Sequence, residues 1–237
     1  MRHIYMIGDS TMQYNDITTY PQTGWGQVLH LFAKKDVLIF DHAKNGRSTK
    51  SFIDEGLFDK VYNSLNEGDY VICQFGHNDE KDDPLRHTDK ESSYLENLKF
   101  FASKVEEKKA NIVFATSISR RKFVDGECVD THLGYPQAML EWCNKNGYVC
   151  IDLNNITLGL YNILGEEKTK AFHMIFNEGE YVNYPLGKED NSHLRYEGAV
   201  MVAQSFVVAL AQTNSSLNSF FIDLKKNYEV DEAMLKD

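Results

Sequence analysis

The sequence contains little cysteine, and its cysteines are not arranged for cross-linking or metal binding. Only four of the 237 residues are cysteine, and no two of them form a C-x-x-C pair. Three of the four lie in apolar or amphipathic stretches that are typical of core elements. We therefore expect reduced, packed thiols rather than disulfides or zinc ligands. The four are Cys73, Cys128, Cys143 and Cys150.

Long hydrophobic runs are also absent. No stretch approaches the roughly 18 uninterrupted apolar residues of a transmembrane helix, so we expect no insertion into a membrane. The apolar run at residues 4–7 is too short for the core of a secretory signal, and it meets Gly-Asp without a small-residue cleavage site. With Met1 as the natural start we expect a cytoplasmic protein, whereas a removed leader would make it a secreted one.

Positive charge is scarce. Twenty-five lysines and arginines face thirty-five acidic residues, which gives a formal net charge of −10. Nonspecific nucleic-acid binding and docking on anionic membranes both need a basic surface, so the charge disfavours both partners. A local basic site is still compatible with this composition.

Several catalytic and metal-binding motifs are missing. The chain has no G-x-S-x-G nucleophile elbow and no H-E-x-x-H pattern, which disfavours the α/β-hydrolase fold and a zinc hydrolase. The acidic stretch Asp79, Glu80, Asp82 and Asp83 lacks the glycine and the distal glutamate of an EF-hand loop. We interpret it as a solvated loop in which Asp79 braces Asn78, and we expect neither a metal nor a cofactor.

What the chain does contain is an alternation of short apolar runs with helical patterns. Such an alternation predicts a parallel sheet with right-handed crossovers, covered by helices on both faces. We predict one α/β domain over residues 1–237, a three-layer αβα sandwich with a five-stranded parallel sheet. Predicted strands are Ile4 to Ile7, Val37 to Phe40, Tyr70 to Phe75, Ile112 to Ala115 and Tyr148 to Ile151. Predicted helices are Trp25 to Ala33, Tyr94 to Lys109, Tyr135 to Asn146, Tyr196 to Ala211 and, more weakly patterned, Ser215 to Lys226.

Polar loops follow the first three predicted strands. In a flavodoxin-like strand order 2-1-3-4-5, the loops after strands two and three border the end of strand one, where Ser10 emerges. The backbone N–H groups of Ser10 and Gly46 and the Asn78 amide would then converge as an oxyanion hole. Each loop alone is as compatible with a simple turn, and Ser10 alone with a helix cap. We also expect a helix after Ser10, whose positive end would point toward the developing oxyanion.

A possible acid and base lie far downstream, in the polar stretch before the last long helix. The three-residue spacing of Asp190 and His193 in a turn allows the carboxylate to orient the Nδ1–H of the imidazole. The Nε2 atom is then left to accept the Ser10 proton. By itself this pair is weak evidence, because surface loops contain many such pairs. Asp9 we interpret as structural, bracing the turn by hydrogen bonds.

Together these four blocks resemble those of the SGNH hydrolases, also called the GDSL esterase family. The matching residues are Gly8 to Ser10, Gly46, Gly76 to Asp79, and Asp190 to His193. The resemblance implies the SGNH fold, a catalytic triad of Ser10, Asp190 and His193, and an oxyanion hole of Ser10, Gly46 and Asn78.

Further stretches resemble bacterial rhamnogalacturonan acetylesterases. They are Thr23 to Gln27, Ser119 to Phe123, and His193 to Ala199. This resemblance implies hydrolysis of acetyl esters on small acetylated pectic oligosaccharides. Acetylxylan esterase, another acetyl-sugar esterase, a short-chain lipase or thioesterase, and a carbohydrate-binding protein without turnover are the alternatives. The sequence leaves the acetylated position and the oligomeric state open.

Five further residues are candidates for substrate contact, each with a structural alternative. Trp25 and Tyr135 are candidates to line the pocket or to pack in the core, and His77 to touch substrate or to serve a structural role. Arg120 and Arg121, at the end of the fourth strand, are candidates to meet a galacturonate carboxylate or to pair with the protein's own acids.

Overall fold

A computed structural model describes residues 2–224 and contains a central five-stranded parallel sheet. Its strand order is β2-β1-β3-β4-β7, with every neighbouring pair parallel. The predicted fold class and the flavodoxin-like order are therefore confirmed. The strands are β1 (Arg2–Gly8), β2 (Val37–Asp41), β3 (Tyr70–Gln74), β4 (Asn111–Ala115), β5 (Phe123–Val124), β6 (Glu127–Cys128), β7 (Cys150–Ile151), β8 (His173–Phe176) and β9 (Lys188–Leu194).

Helices cover both faces of this sheet. Alternate residues of β1 point to opposite faces, so Ile4 and Met6 join one apolar cluster while Tyr5 and Ile7 join the other. The α-helices are α1 (Trp25–Val28), α2 (Thr49–Asp54), α3 (Leu57–Ser64), α4 (Ser93–Glu107), α5 (Tyr135–Asn146), α6 (Leu153–Leu164), α7 (Glu166–Thr169) and α8 (Tyr196–Leu210). Residues of α1 and α8 belong to the first cluster, and residues of α2 to α5 belong to the second.

One strand departs from the expected two-sided burial. In β2 the side chains of Leu38 and Phe40 are 41% and 39% exposed. The reason is topological: β2 is the edge of the sheet and pairs only with β1. Its apolar run therefore does not indicate cover on both faces, unlike the fully buried run of β3.

The long predicted helices are confirmed as α4, α5 and α8, and the first one as α1 followed by a 3₁₀ turn at Leu29–Phe32. Two expectations are wrong. No helix begins at Ser10, where the chain makes a single turn, and the predicted helix at 215–226 is only a 3₁₀ turn at Ser216–Phe220. Residues 225 and 226 of that prediction lie outside the described residues.

The segment after β7 contains more strand than expected. The polar stretch at 183–192, predicted as loop, enters β9 at Lys188, and β9 pairs antiparallel with β8. Another small antiparallel pair, β5 and β6, follows β4. None of the helices within residues 2–224 has the length and apolar character needed to cross a bilayer.

Candidate active site

Ser10 lies at the carboxyl end of β1, in a turn shaped by the preceding aspartate. The Asp9 carboxylate accepts hydrogen bonds from the backbone N–H and the hydroxyl of Thr11, at 2.9 and 2.8 Å. The Asp9 carbonyl accepts from the N–H groups of Met12 and Gln13, which closes one turn. The turn does not continue as a helix because the carbonyls of Thr11 and Met12 accept from the N–H groups of Trp25 and Gly26, and Ser10 is held at the carboxyl end of β1 with 8% exposure.

Asp190 and His193 lie on β9, at an irregularity in the strand. Met174 pairs with Asp190 and His173 with Leu194, so three residues of β9 bulge out between two neighbouring partners. The Asp190 carboxylate accepts from the N–H groups of Ser192 and His193, at 2.9 and 3.1 Å. The predicted turn is thus a bulge inside a strand, which ties the acid and the base to β8.

A chain of hydrogen bonds joins these residues to the serine. His193 Nε2 lies 2.9 Å from Ser10 Oγ, and His193 Nδ1 lies 2.8 Å from Asp190 Oδ2. Burial disfavours the ionised Asp190, but the hydrogen bond from His193 and those from the bulge backbone outweigh it and lower the pKa of Asp190 well below its usual range. An ionised Asp190 accepts the Nδ1–H and leaves Nε2 as the acceptor for the Ser10 hydroxyl.

Gly46 and Asn78 border the same cavity as Ser10. The cavity has a volume of about 350 Å³. Gly46 adopts φ +75°, a left-handed conformation that favours glycine, in the turn after β2. The Asn78 amide donates to the Arg47 carbonyl at 3.0 Å, which orients its Nδ2 beside this turn. The cavity is lined by Ser10, Thr11, Asn45, Gly46, His77, Asn78, Lys81, Arg86, Arg120, Asp190, Ser192 and His193.

The acidic loop after β3 differs from the prediction. Asp79 is fully buried and accepts from the Thr49 N–H and the Thr88 hydroxyl, both at 3.0 Å, rather than from Asn78. Its carboxylate therefore ties the start of α2 to the loop after β3, and the description of Asp79 as solvated is wrong. Burial, partly offset by these hydrogen bonds, raises the pKa of Asp79 to about 7.

His77 lines the cavity, and its ring contacts Asp9 and His132. Its Nδ1 lies 3.2 Å from Asp9 Oδ2, and its ring meets the His132 ring edge-on at 4.6 Å between centroids. Burial lowers the pKa of His77, against the opposing pull of Asp9. The neutral ring that burial favours supports Asp9, and through it the turn that carries Ser10.

The two arginines at the end of β4 have different positions. Arg120 lines the cavity and forms an ion pair with Glu80. Arg121 is buried away from the cavity, and its guanidinium donates to Asn191 Oδ1 at 2.8 Å and to the Glu166 carbonyl at 2.6 Å. The structure therefore separates Arg121 from the site cavity and places it behind the β9 bulge.

The two aromatic candidates are core residues. Trp25 is completely buried, donates through Nε1 to the Gln74 side chain, and packs on Phe206. Tyr135 is buried, and its hydroxyl donates to the backbone carbonyls of Thr88 and Asp79. Neither residue lines the cavity, because Trp25 packs in the apolar cluster on one face of the sheet and Tyr135 in the cluster on the other face.

Sequence reasoning missed two cations on the cavity wall, Lys81 and Arg86. Arg86 reaches Asn78 Oδ1 at 3.5 Å and pairs with Asp83 at 2.6 Å. Their proximity in sequence to Asn78 is the signal that points to them, although the acidic residues of the same loop mask it. No group of three or more His, Cys, Asp and Glu side chains within residues 2–224 is arranged to hold a metal ion.

The arrangement has the parts required for acyl transfer. A hydroxyl nucleophile contacts a base, an ionised carboxylate orients that base, and N–H donors border the space beside the hydroxyl. A tetrahedral oxyanion formed at Ser10 would lie in the cavity that Ser10, Gly46 and Asn78 line.

Comparison with known proteins places this geometry in context. No protein-family model matches the chain. It is 38% identical over 202 residues to a rhamnogalacturonan acetylesterase of Bacillus subtilis, RhgT, covering 85% of this chain and 86% of that protein. It is 31% identical to a probable rhamnogalacturonan acetylesterase of the same organism, YesY, covering 85% of this chain and 89% of that protein.

Solved structures agree on the fold. The B. subtilis protein YxiM superimposes with a TM-score of 0.75 at 25% identity, over 91% of this chain, which spans 57% of that protein. The acetylxylan esterase Axe2 of Geobacillus stearothermophilus superimposes with a TM-score of 0.63 over 90% of this chain and 95% of that one. At 12% identity the second likeness concerns the fold alone.

Proposed function

This chain belongs to the SGNH, or GDSL, family of serine ester hydrolases, and from that premise we propose that it removes O-acetyl groups from pectic, rhamnogalacturonan-type oligosaccharides. One observation carries the proposed mechanism: the unbroken hydrogen-bonded chain from Asp190 through His193 to Ser10 at the wall of an open cavity. The substrate class is proposed from relatives named as rhamnogalacturonan acetylesterases.

The proposed first half-reaction transfers the acetyl group to the enzyme. Ser10 Oγ attacks the acetyl carbonyl carbon while its proton passes to His193 Nε2. The resulting oxyanion accepts hydrogen bonds from the backbone N–H groups of Ser10 and Gly46 and from the Asn78 amide. When the intermediate collapses, the C–O bond to the sugar breaks, and the sugar oxygen takes the proton from His193.

The second half-reaction releases acetate. Water gives a proton to His193 Nε2 as its oxygen attacks the acetyl-Ser10 carbonyl, and the same donors stabilise the second oxyanion. Collapse breaks the bond to Ser10 Oγ, which recovers the proton from His193. Throughout, Asp190 keeps the imidazole oriented and stabilises its charged form without taking the proton itself.

The test is acetate release by the purified full-length chain. We expect release from acetylated rhamnogalacturonan fragments and from an aryl acetate, and a loss of at least about 1,000-fold in kcat for Ser10→Ala. Full activity of Ser10→Ala would remove Ser10 from the mechanism. Faster release from acetylated xylan fragments than from pectic ones would assign the chain to a different acetyl-sugar substrate.

A further inference from the structure

Three cations border the proposed active site, and two of them are already paired. Arg120 forms an ion pair with Glu80, and Arg86 forms one with Asp83. The third cation is Lys81. Among residues 2–224 its ammonium group has no ion pair and no hydrogen-bond partner, so it is the uncompensated positive charge of this cavity.

Two carboxylates near Lys81 already have other hydrogen-bond or ion-pair partners. The two that act on it electrostatically are Asp9 and Glu80. Asp9 is engaged by Thr11 and His77, and Glu80 by Arg120 and His132. Lys81 therefore forms an ion pair with neither of these two carboxylates.

The surroundings of Lys81 also disfavour its charged form when no anion is bound. Partial burial, and then the repulsion of Arg86 and Arg120, lowers the pKa of Lys81. An anion placed among these three cations would relieve both the repulsion and the lost hydration. In a protein of net charge −10, one unpaired lysine beside two paired arginines is a specific feature of this cavity and not a property of the whole surface.

Lys81 also lies close to the proposed oxyanion donor. Its backbone N–H donates to the Asn78 carbonyl at 3.3 Å, so it belongs to the same turn as the proposed oxyanion donor. A second cavity, of about 390 Å³, shares Gly46 and Arg86 with the first and continues past Arg47. Together the two cavities offer room for more than the acetylated sugar itself.

Building on the proposed function, we propose that Lys81 is a specificity-determining residue that binds a carboxylate of an acidic, uronic-acid-containing saccharide. The ammonium acts as a point charge and not as a two-pronged clamp, so it tolerates variation in the angle of the carboxylate. Substrate selectivity would then arise in the loop after β3 and not at Arg121.

The experiment uses the full chain, with aryl acetate hydrolysis as the readout and two unacetylated inhibitors. One inhibitor is trigalacturonic acid and the other is its fully methyl-esterified form, which lacks the charges. In the wild-type protein we expect the acid to inhibit competitively and more strongly than the ester. Lys81→Gln should raise the inhibition constant of the acid about tenfold and change that of the ester by less than about twofold. Lys81→Arg should keep the preference.

Lys99→Gln on α4, an exposed lysine that does not line the cavity, is the matched control for loss of one positive charge and should keep the wild-type preference. An unchanged acid-to-ester ratio in Lys81→Gln, or no preference for the acid in the wild type, would overturn the role of Lys81. Failure of the proposed function would appear in a different measurement, as the absence of acetate release from acetylated saccharides. The two inhibitors carry no acetyl group and therefore do not report on that reaction.

Discussion

Asp41, at the end of β2, is a half-buried residue whose carboxyl group has one fully buried oxygen atom. One oxygen accepts from the Ala43 N–H at 2.9 Å, whereas the other is buried without a hydrogen-bond partner among the described residues. Burial, opposed by hydrogen bonds from backbone N–H groups, raises the pKa of Asp41 to about 7. The folded state therefore holds a proton that the unfolded chain has released between about pH 4 and pH 7, and stability falls as pH rises through that window.

Replacing Asp41 by asparagine should remove this pH dependence. Asparagine resembles the protonated acid, so Asp41→Asn should gain stability relative to the wild type as pH rises. We expect the difference in unfolding free energy between variant and wild type to be about 3 kcal/mol more favourable at pH 8 than at pH 4.5. Urea denaturation at both values measures it.

Asp125→Asn, at the exposed turn between β5 and β6, controls for the loss of one negative charge. A stability difference for Asp41→Asn that is the same at both pH values would show that the Asp41 carboxyl does not titrate as argued.

At the scale of elements, the β9 bulge carries the acid and the base, and Arg121 holds it from behind. The backbone N–H of Arg121 donates to the Asn191 carbonyl at 2.8 Å while its guanidinium donates to the Asn191 side chain, to Thr169 and to the Glu166 carbonyl. One side chain thus joins the bulge to α7, so the position of His193 depends on a residue that does not line the cavity.

Arg121→Ala should therefore act on positioning and not on substrate charge. It leaves several buried acceptors unpaired, and we expect the unfolding free energy to fall by about 3 kcal/mol. We also expect kcat to fall at least about tenfold, by the same factor for an aryl acetate and an acidic acetylated saccharide. Lys122→Ala, at the exposed neighbouring position, is the control. A loss confined to the acidic substrate would instead give Arg121 a direct role with the carboxylate.

The turn at Gly46 offers a second test at this scale, with an internal control. Gly46 and Gly68 have φ of +75° and +87°, and a Cβ added at either glycine meets no atom within 4 Å. Alanine at either position should cost about 1 kcal/mol of stability through backbone strain. Only Gly46→Ala should also lower kcat, by about tenfold or more, because its N–H is the proposed oxyanion donor. Urea denaturation and aryl acetate kinetics separate the two effects; wild-type kcat in Gly46→Ala would exclude the donor role.

The motif residues could be found from the sequence because each stands directly beside a recognisable strand or helix. Parallel strands bring their carboxyl ends to one edge, so Ser10, Gly46 and Asn78 were predictable neighbours. The contacts of Arg121 could not be predicted in this way, because its partners Thr169 and Asn191 lie 48 and 70 residues away in the sequence. The expected helix after Ser10 failed for a reason distant in the sequence, because the carbonyls of Thr11 and Met12 pair with the N–H groups of Trp25 and Gly26.

At the scale of the whole molecule, the sheet order explains how one site is built from distant segments. Because β1 lies between β2 and β3, the loops that follow these three strands meet at one edge. The β8–β9 pair then brings His193 to Ser10 across 183 residues of chain. The charge around the site can therefore differ from the net charge of the molecule. Three cations line the cavity although the chain has a net charge of −10.

This contrast predicts opposite salt effects on short and long acidic substrates. A long pectic polymer extends its charges over the negative surface and is repelled, whereas a short fragment interacts mainly with Lys81 and its neighbours. Raising ionic strength from about 10 mM to about 150 mM shortens the screening length from about 30 Å to about 8 Å, which suppresses the long-range repulsion. We expect kcat/KM for acetate release to rise for the polymer and to fall for a short acidic fragment. Changes of the same sign and size for both substrates would show that the local and the global charge do not act separately.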